Sequence, residues 1–246
     1  MHTEQLTLRT ADGECPAYVM SPEGRGRWPA IIFYGDAGGI RPAMLEMAGG
    51  LADAGYVVLL PDLFYRFGSY GPLVPREVFA GDVGAILGPL MATTGVDKAS
   101  ADTDAFLAYL STRDDILSIK TGAIGFCMGG GFAIGSAATH SERFAAVASF
   151  HGGNLATDAP TSPHRLVPGL AAQVYIASAD NDETYPPAMA ARLEDSLEKA
   201  GVQYRAEVYH DALHGWMVPD FPTYDLTAAE RGWQAALALF ERTLRD

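Results

Sequence analysis

The feature that most narrows the fold is a series of nearly uninterrupted apolar runs at residues 29–34, 56–60, 122–126, 145–150 and 173–177. Each is five or six residues long, which is too short for a stable helix and suits a strand buried on both faces of a parallel sheet. The stretches between them have helical character, at 43–54, 98–112, 128–139, 188–200 and 226–244. In 188–200, Met189, Leu193, Leu197 and Ala200 recur at helical spacing and Gly201 supplies a stop. Two shorter stretches, 5–9 and 17–20, flank Asp12-Gly13 and predict an antiparallel hairpin at a sheet edge. Strand and helix thus alternate, which predicts an α/β fold: a mostly parallel central sheet with helices on both faces, joined by right-handed crossovers. Ligands in such folds bind beyond the carboxyl ends of the strands, so the loops that leave strands are the ones to search.

No break in composition divides the 246 residues, and one domain spanning 1–246 is expected. Seventeen basic residues stand against thirty acidic ones, a formal charge of −13, and the basic ones are scattered singly. That balance argues against nucleic acid as a partner, since phosphate contacts need clustered Lys and Arg. No apolar run approaches the ~18 residues of a membrane span, so no membrane partner is expected. Met1 to Gln5 lacks the basic and apolar regions of a leader, and Cys15 and Cys127 cannot build a disulfide framework. A reducing, cytoplasmic setting is the expectation; monomer and homo-oligomer both stay open.

Gly125-Phe126-Cys127-Met128-Gly129-Gly130-Gly131 leaves one of the apolar runs and opens a helix of small residues. This is the setting of a nucleophile elbow, in which glycines let a strained turn present one side chain. The following helix would bring unpaired N–H groups and a positive dipole end to the Cys127 sulfur. A phosphate loop fits less well, for no Lys-Ser/Thr follows and the dinucleotide glycine spacing is missing. A thiol nucleophile needs a base, and His214, in a loop after the strand candidate 204–209 and before the last helix, holds the right place in chain order. His210 lies four residues earlier, but without a Glu after it the pair makes a poor zinc motif. His151 ends a strand and reads as structural, with a place along the site as the alternative. The orienting acid falls in Asp180-Asn181-Asp182-Glu183. Either aspartate could serve; Asp182, four residues before Pro186-Pro187, is preferred. A calcium loop is disfavoured because Tyr185 stands where a tight turn needs Gly.

These residues resemble the dienelactone hydrolase family of the α/β-hydrolase fold, from Ala30 to the final helix. The resemblance rests on Gly125-Phe126-Cys127-Met128-Gly129-Gly130, on Asp182, on His214-Gly215-Trp216 and on Pro61-Asp62-Leu63-Phe64-Tyr65-Arg66. It implies a Cys-His-Asp triad of Cys127, His214 and Asp182, cleaving a small ester or lactone through a thioester, with dienelactone as first candidate and no metal or organic cofactor. It also implies an oxyanion hole from the backbone N–H groups of Ala37 and Met128. Where the family's best-studied branch has a Glu that handles the thiol proton, this chain has Asp36, one methylene shorter, which could instead be a turn residue. Trp216, Tyr65, Arg66 and Arg41 are the candidates for contacting substrate. A thioesterase, acyltransferase or halo-acid hydrolase on the same site, or a binding module without turnover, are the rival expectations.

Overall fold

A computed structural model describes residues 1–245. Eight strands form one sheet: β1 (His2–Arg9), β2 (Glu14–Ser21), β3 (Trp28–Tyr34), β4 (Val57–Pro61), β5 (Ile116–Phe126), β6 (Phe144–Phe150), β7 (Gln173–Ala179) and β8 (Tyr204–Tyr209), in the order β1-β2-β4-β3-β5-β6-β7-β8. The hairpin β1–β2 and its junction with β4 are antiparallel, and every junction from β4 to β8 is parallel.

Alternate residues of the central strands feed two cores. Ala30, Ile32 and Tyr34 point to one face, covered by α4 (Val96–Ser111), α5 (Met128–Thr139) and α7 (Pro187–Ala200). Ile31 and Phe33 point to the other, covered by α1 (Pro42–Asp53) and α8 (Leu226–Leu244). This two-sided burial is why the strands carry no polar alternation. Leu193 and Leu197 are the fully buried stripe of α7, and Gly201 closes that helix at φ +69°.

Three elements differ from expectation. β5 starts six residues before the apolar run at 122–126, because its first half overhangs the sheet and leaves Leu117 and Ile119 exposed. Two helices, α2 (Pro75–Ala80) and α3 (Val83–Met91), lie outside the helical stretches the sequence marks. Pro75 sits in the first turn of α2, where its missing N–H costs nothing. α3 starts at Asp82, whose side chain accepts the Ala85 N–H at 3.0 Å, and it accommodates Pro89 near its end. A single turn, α6 (Pro163–Leu166), lies between β6 and β7. Among the described residues no helix is long and apolar enough to cross a membrane.

Candidate active site

Cys127 sits between the end of β5 and the start of α5, at φ +55° and ψ −121°. Backbone of this hand is costly for any residue with a side chain and persists only where the surroundings enforce it. Here they do: a Cβ at Gly125 would collide with the Gly129 carbonyl, and one at Gly129 with the carbonyls of Tyr34 and Gly35. The glycines thus let α5 press against the ends of β3 and β5, and the turn between them presents the half-buried thiol. The Cys127 N–H is shared between the Phe150 carbonyl at 3.1 Å and His151 Nδ1 at 3.2 Å.

His214 lies on the loop after β8, with Nδ1 donating to Asp182 Oδ2 at 2.6 Å, and close enough to Cys127 for the two side chains to interact electrostatically. Burial works against the imidazolium, but the hydrogen bond to Asp182 and the interaction with Cys127 outweigh it and raise His214 to about 10. Asp182 is buried on the loop after β7. Burial disfavours its charge too, yet hydrogen bonds from His214 and Thr184 hold the carboxyl below its usual range. Thr184 donates twice to Asp182 Oδ1, from its hydroxyl at 2.6 Å and its N–H at 2.9 Å. Asp180 is exposed at the surface and faces His210 at 3.4 Å. The loop therefore turns one aspartate inward and one outward. Thr184 was not among the sequence candidates; the signal for it is the turn in which an Asp accepts the N–H two residues on.

His151 is fully buried, at φ +38°, its ring edge-on to His214 with centroids 5.2 Å apart. Burial, reinforced by the nearby His214 charge, pushes it well below the ordinary imidazole range, so it stays neutral. With Nδ1 accepting from Cys127, its proton is on Nε2, which has no hydrogen-bond partner among the described residues. The N–H of Met128, at the first position of α5, and that of the half-buried Ala37, on the loop after β3, likewise carry no hydrogen bond to another described residue. Unpaired donors of this kind can receive an oxyanion.

The other candidates make contacts of their own. Both oxygens of Asp36 accept from Arg41, at 2.6 and 2.8 Å, and one also accepts the Gly38 N–H. No hydrogen bond joins Asp36 to Cys127 among the described residues. Arg41 is itself buried: Nε and Nη2 donate to Asp220 at 2.7 and 2.9 Å, Nη1 also reaches the Gly39 carbonyl, and the guanidinium lies 5.4 Å from the Phe221 ring centre. Arg66 grips Asp102 with two bonds of 2.8 Å and also pairs with Asp12, while Tyr65 donates to Asp102 at 2.9 Å. None of these heads is free to bind substrate, because a carboxylate already occupies it. Trp216 is fully buried beneath the site, stacked on Tyr209 at 4.2 Å, and so forms core rather than an open wall. Among the described residues no group of three or more His, Cys, Asp or Glu side chains is arranged to hold a metal ion.

The sheet order and the strand-to-helix elbow make the molecule an α/β hydrolase by fold. A profile of the dienelactone hydrolase family matches residues 15–244, and the chain belongs to that family of ester- and lactone-cleaving α/β hydrolases. Among its relatives is a Synechocystis protein provisionally named a carboxymethylenebutenolidase, 25% identical over 99% of this chain and 98% of that one. A Bradyrhizobium protein, provisionally named a 2-oxo-3-(5-oxofuran-2-ylidene)propanoate lactonase, is 26% identical over 96% of this chain and 95% of its own. Among solved structures, a Klebsiella pneumoniae protein provisionally named a dienelactone hydrolase superposes with a TM-score of 0.85 over 98% of both chains, at 22% identity.

Proposed function

We propose that the protein hydrolyses a small carboxylic ester or lactone with Cys127 as nucleophile, His214 as base and acid, and Asp182 as the group that orients His214. The observation that supports this reading is the thiol on its left-handed elbow beside an imidazole whose far nitrogen is held at 2.6 Å by a buried carboxylate. With the thiol proton already resting on His214, the Cys127 thiolate attacks the acyl carbon. The carbonyl oxygen becomes an oxyanion, received by the N–H groups of Ala37 and Met128. As the intermediate collapses, the C–O bond to the alcohol breaks, His214 gives its proton to the departing alkoxide, and the acyl group stays on sulfur as a thioester. His214 then draws a proton from water, hydroxide attacks the thioester, the C–S bond breaks to release the carboxylic acid, and the proton held on His214 is shared back with the Cys127 sulfur. Asp182 keeps the imidazole in the tautomer that aims Nε2 at the sulfur. The named substrates of the two relatives, a carboxymethylenebutenolide and an oxofuranylidene propanoate, point to dienelactone as the first lactone to try.

The test is acid release from cis- and trans-dienelactone and from a simple aryl ester, by wild type, Cys127→Ala and His214→Ala. Turnover of at least one substrate by wild type, abolished in both variants with their folds intact, is expected. Wild-type rates in either variant would overturn the assignment.

A further inference from the structure

The loop that leaves β3 takes up three consecutive N–H groups and leaves the one before them free. Gly38 donates to the Asp36 carboxylate at 2.8 Å, Gly39 to the Asp36 carbonyl at 3.2 Å and Ile40 to the Tyr70 hydroxyl at 3.2 Å. Of residues 37–40, Ala37 alone has an N–H with no partner among the described residues. The stretch just before it meets the elbow. A Cβ on Gly129, two residues after Cys127, would collide with the carbonyls of Tyr34 and Gly35, so the backbone leading into Asp36 and Ala37 lies against the first turn of α5.

A buried guanidinium holds this loop in shape. Arg41 donates to both oxygens of Asp36, at 2.6 and 2.8 Å, and Nη1 also reaches the Gly39 carbonyl at 3.2 Å, so it grips the turn on either side of Ala37. Its other two N–H groups go to Asp220, at 2.7 and 2.9 Å. All the donors of the guanidinium are thereby used, and the side chains of Arg41 and Asp36 are 1% and 0% exposed. Asp220 lies on the loop that carries His214, which is itself knit together. There Thr223 donates to the His214 carbonyl at 2.8 Å, Val218 to that of Gly215 at 2.9 Å and Phe221 to that of Val218 at 3.0 Å. Short backbone spans and hydrogen bonds therefore connect the base, through Asp220 and Arg41, to Asp36 and Gly38, the two neighbours of Ala37. A buried ion cluster is seldom better for stability than apolar packing of the same volume. What this one supplies is a fixed geometry between two loops.

We infer that Asp36, Arg41 and Asp220 are positioning residues, which hold the Ala37 N–H where it can receive the oxyanion formed at Cys127. This rests on the reading of Cys127 as nucleophile and Ala37 as an oxyanion donor. In this role none of the three touches the substrate or carries a proton. A donor aimed at developing charge loses its effect steeply when displaced, at a cost of about a hundredfold in rate for ~1 Å.

Asp220→Ala tests it, because it cuts the link to the His214 loop while Asp36 and Arg41 stay paired. The Asp220 side chain is 32% exposed, so water can take the place of its carboxylate. The substrate is p-nitrophenyl butyrate. The oxyanion probe is trifluoromethyl propyl ketone, whose carbonyl carbon bonds to the Cys127 sulfur as its oxygen becomes an anion. The control is alkylation by iodoacetamide, in which the thiolate displaces iodide and no oxyanion forms. Cys15 is buried, and burial pushes its thiol up, so the label reports Cys127. In Asp220→Ala, kcat/KM should fall by about tenfold and the Ki of the ketone should rise by a like factor, while the alkylation rate stays near wild type. Asp220→Asn, which keeps the shape and one acceptor oxygen, should fall in between, and serves if Asp220→Ala does not fold. Wild-type kcat/KM and Ki in a folded variant would overturn the inference and leave the hydrolase intact. A matching drop in alkylation would also overturn it, since the cluster would then act on Cys127 and His214 and not on the oxyanion donor. If the ester turns over in Cys127→Ala at the wild-type rate, or not at all in wild type, the reading of Cys127 falls and this inference with it.

Discussion

At the scale of single residues, the proposed chemistry centres on a thiol whose backbone is held against its preference. Cys127 keeps its left-handed geometry because two glycines permit the close approach and because its N–H is fixed by the Phe150 carbonyl and by His151. The His151 contact carries a prediction. His151→Asn places an oxygen near the present Nδ1 position and keeps the acceptor, whereas His151→Leu removes it. With a hydrogen bond worth about 1 kcal/mol, kcat should fall several-fold in His151→Leu, with KM little changed, and stay near wild type in His151→Asn. Steady-state kinetics on both, with melting curves to check folding, decide it; equal losses would make the packing of the ring, and not its acceptor, responsible. Cys127, Asp182 and His214 were legible in the sequence because a glycine pattern and chain order mark them locally. Arg41 was not, since the Asp220 that occupies it lies 179 residues away. A sequence shows that a charge is present in a loop, while the fold decides whether it faces a substrate or a partner.

At the scale of elements, the loops after β3 and β8 are joined by a buried ion cluster instead of being left to move independently. Arg41 sits between Asp36 and Asp220, with its own side chain and that of Asp36 shielded from water. Removing one member of such a group strands a buried charge, so Arg41→Ala should lose about 3–5 kcal/mol of stability. Urea denaturation would measure the loss, and a value under about 1 kcal/mol would contradict the buried network, being in the range of an exposed pair. The strands and the larger helices were readable from periodicity, because their burial is continuous. The pair α2 and α3 was not: their apolar residues stay largely exposed and Pro and Gly interrupt them, so the helical pattern is weak where the tertiary contact to Phe221 sets the structure.

At the scale of the whole molecule, the pairing of Asp182 and His214 links stability to pH. His214 is raised from 6.5 to about 10, so its contribution is complete below the ordinary imidazole range and is lost as pH rises through about 10. Asp182 is lowered from 3.8, so its contribution is present above that value and is lost as pH falls below it. The gap in melting temperature between wild type and Asp182→Asn should therefore be widest between about pH 4 and pH 6.5, narrow as pH rises from there through about 10, and close as pH falls below about 4. A gap that stays constant across the range would show that the two side chains are not a linked pair.

In the proposed reaction an acyl group passes through the Cys127 sulfur. Rapid mixing with an aryl ester, acid quenching and mass spectrometry of the intact protein test it directly. A transient species heavier by one acyl group is expected, mapped by digestion to the peptide that carries Cys127 and missing from Cys127→Ala. Steady turnover by Cys127→Ala at the wild-type rate, or an adduct on another residue, would contradict it.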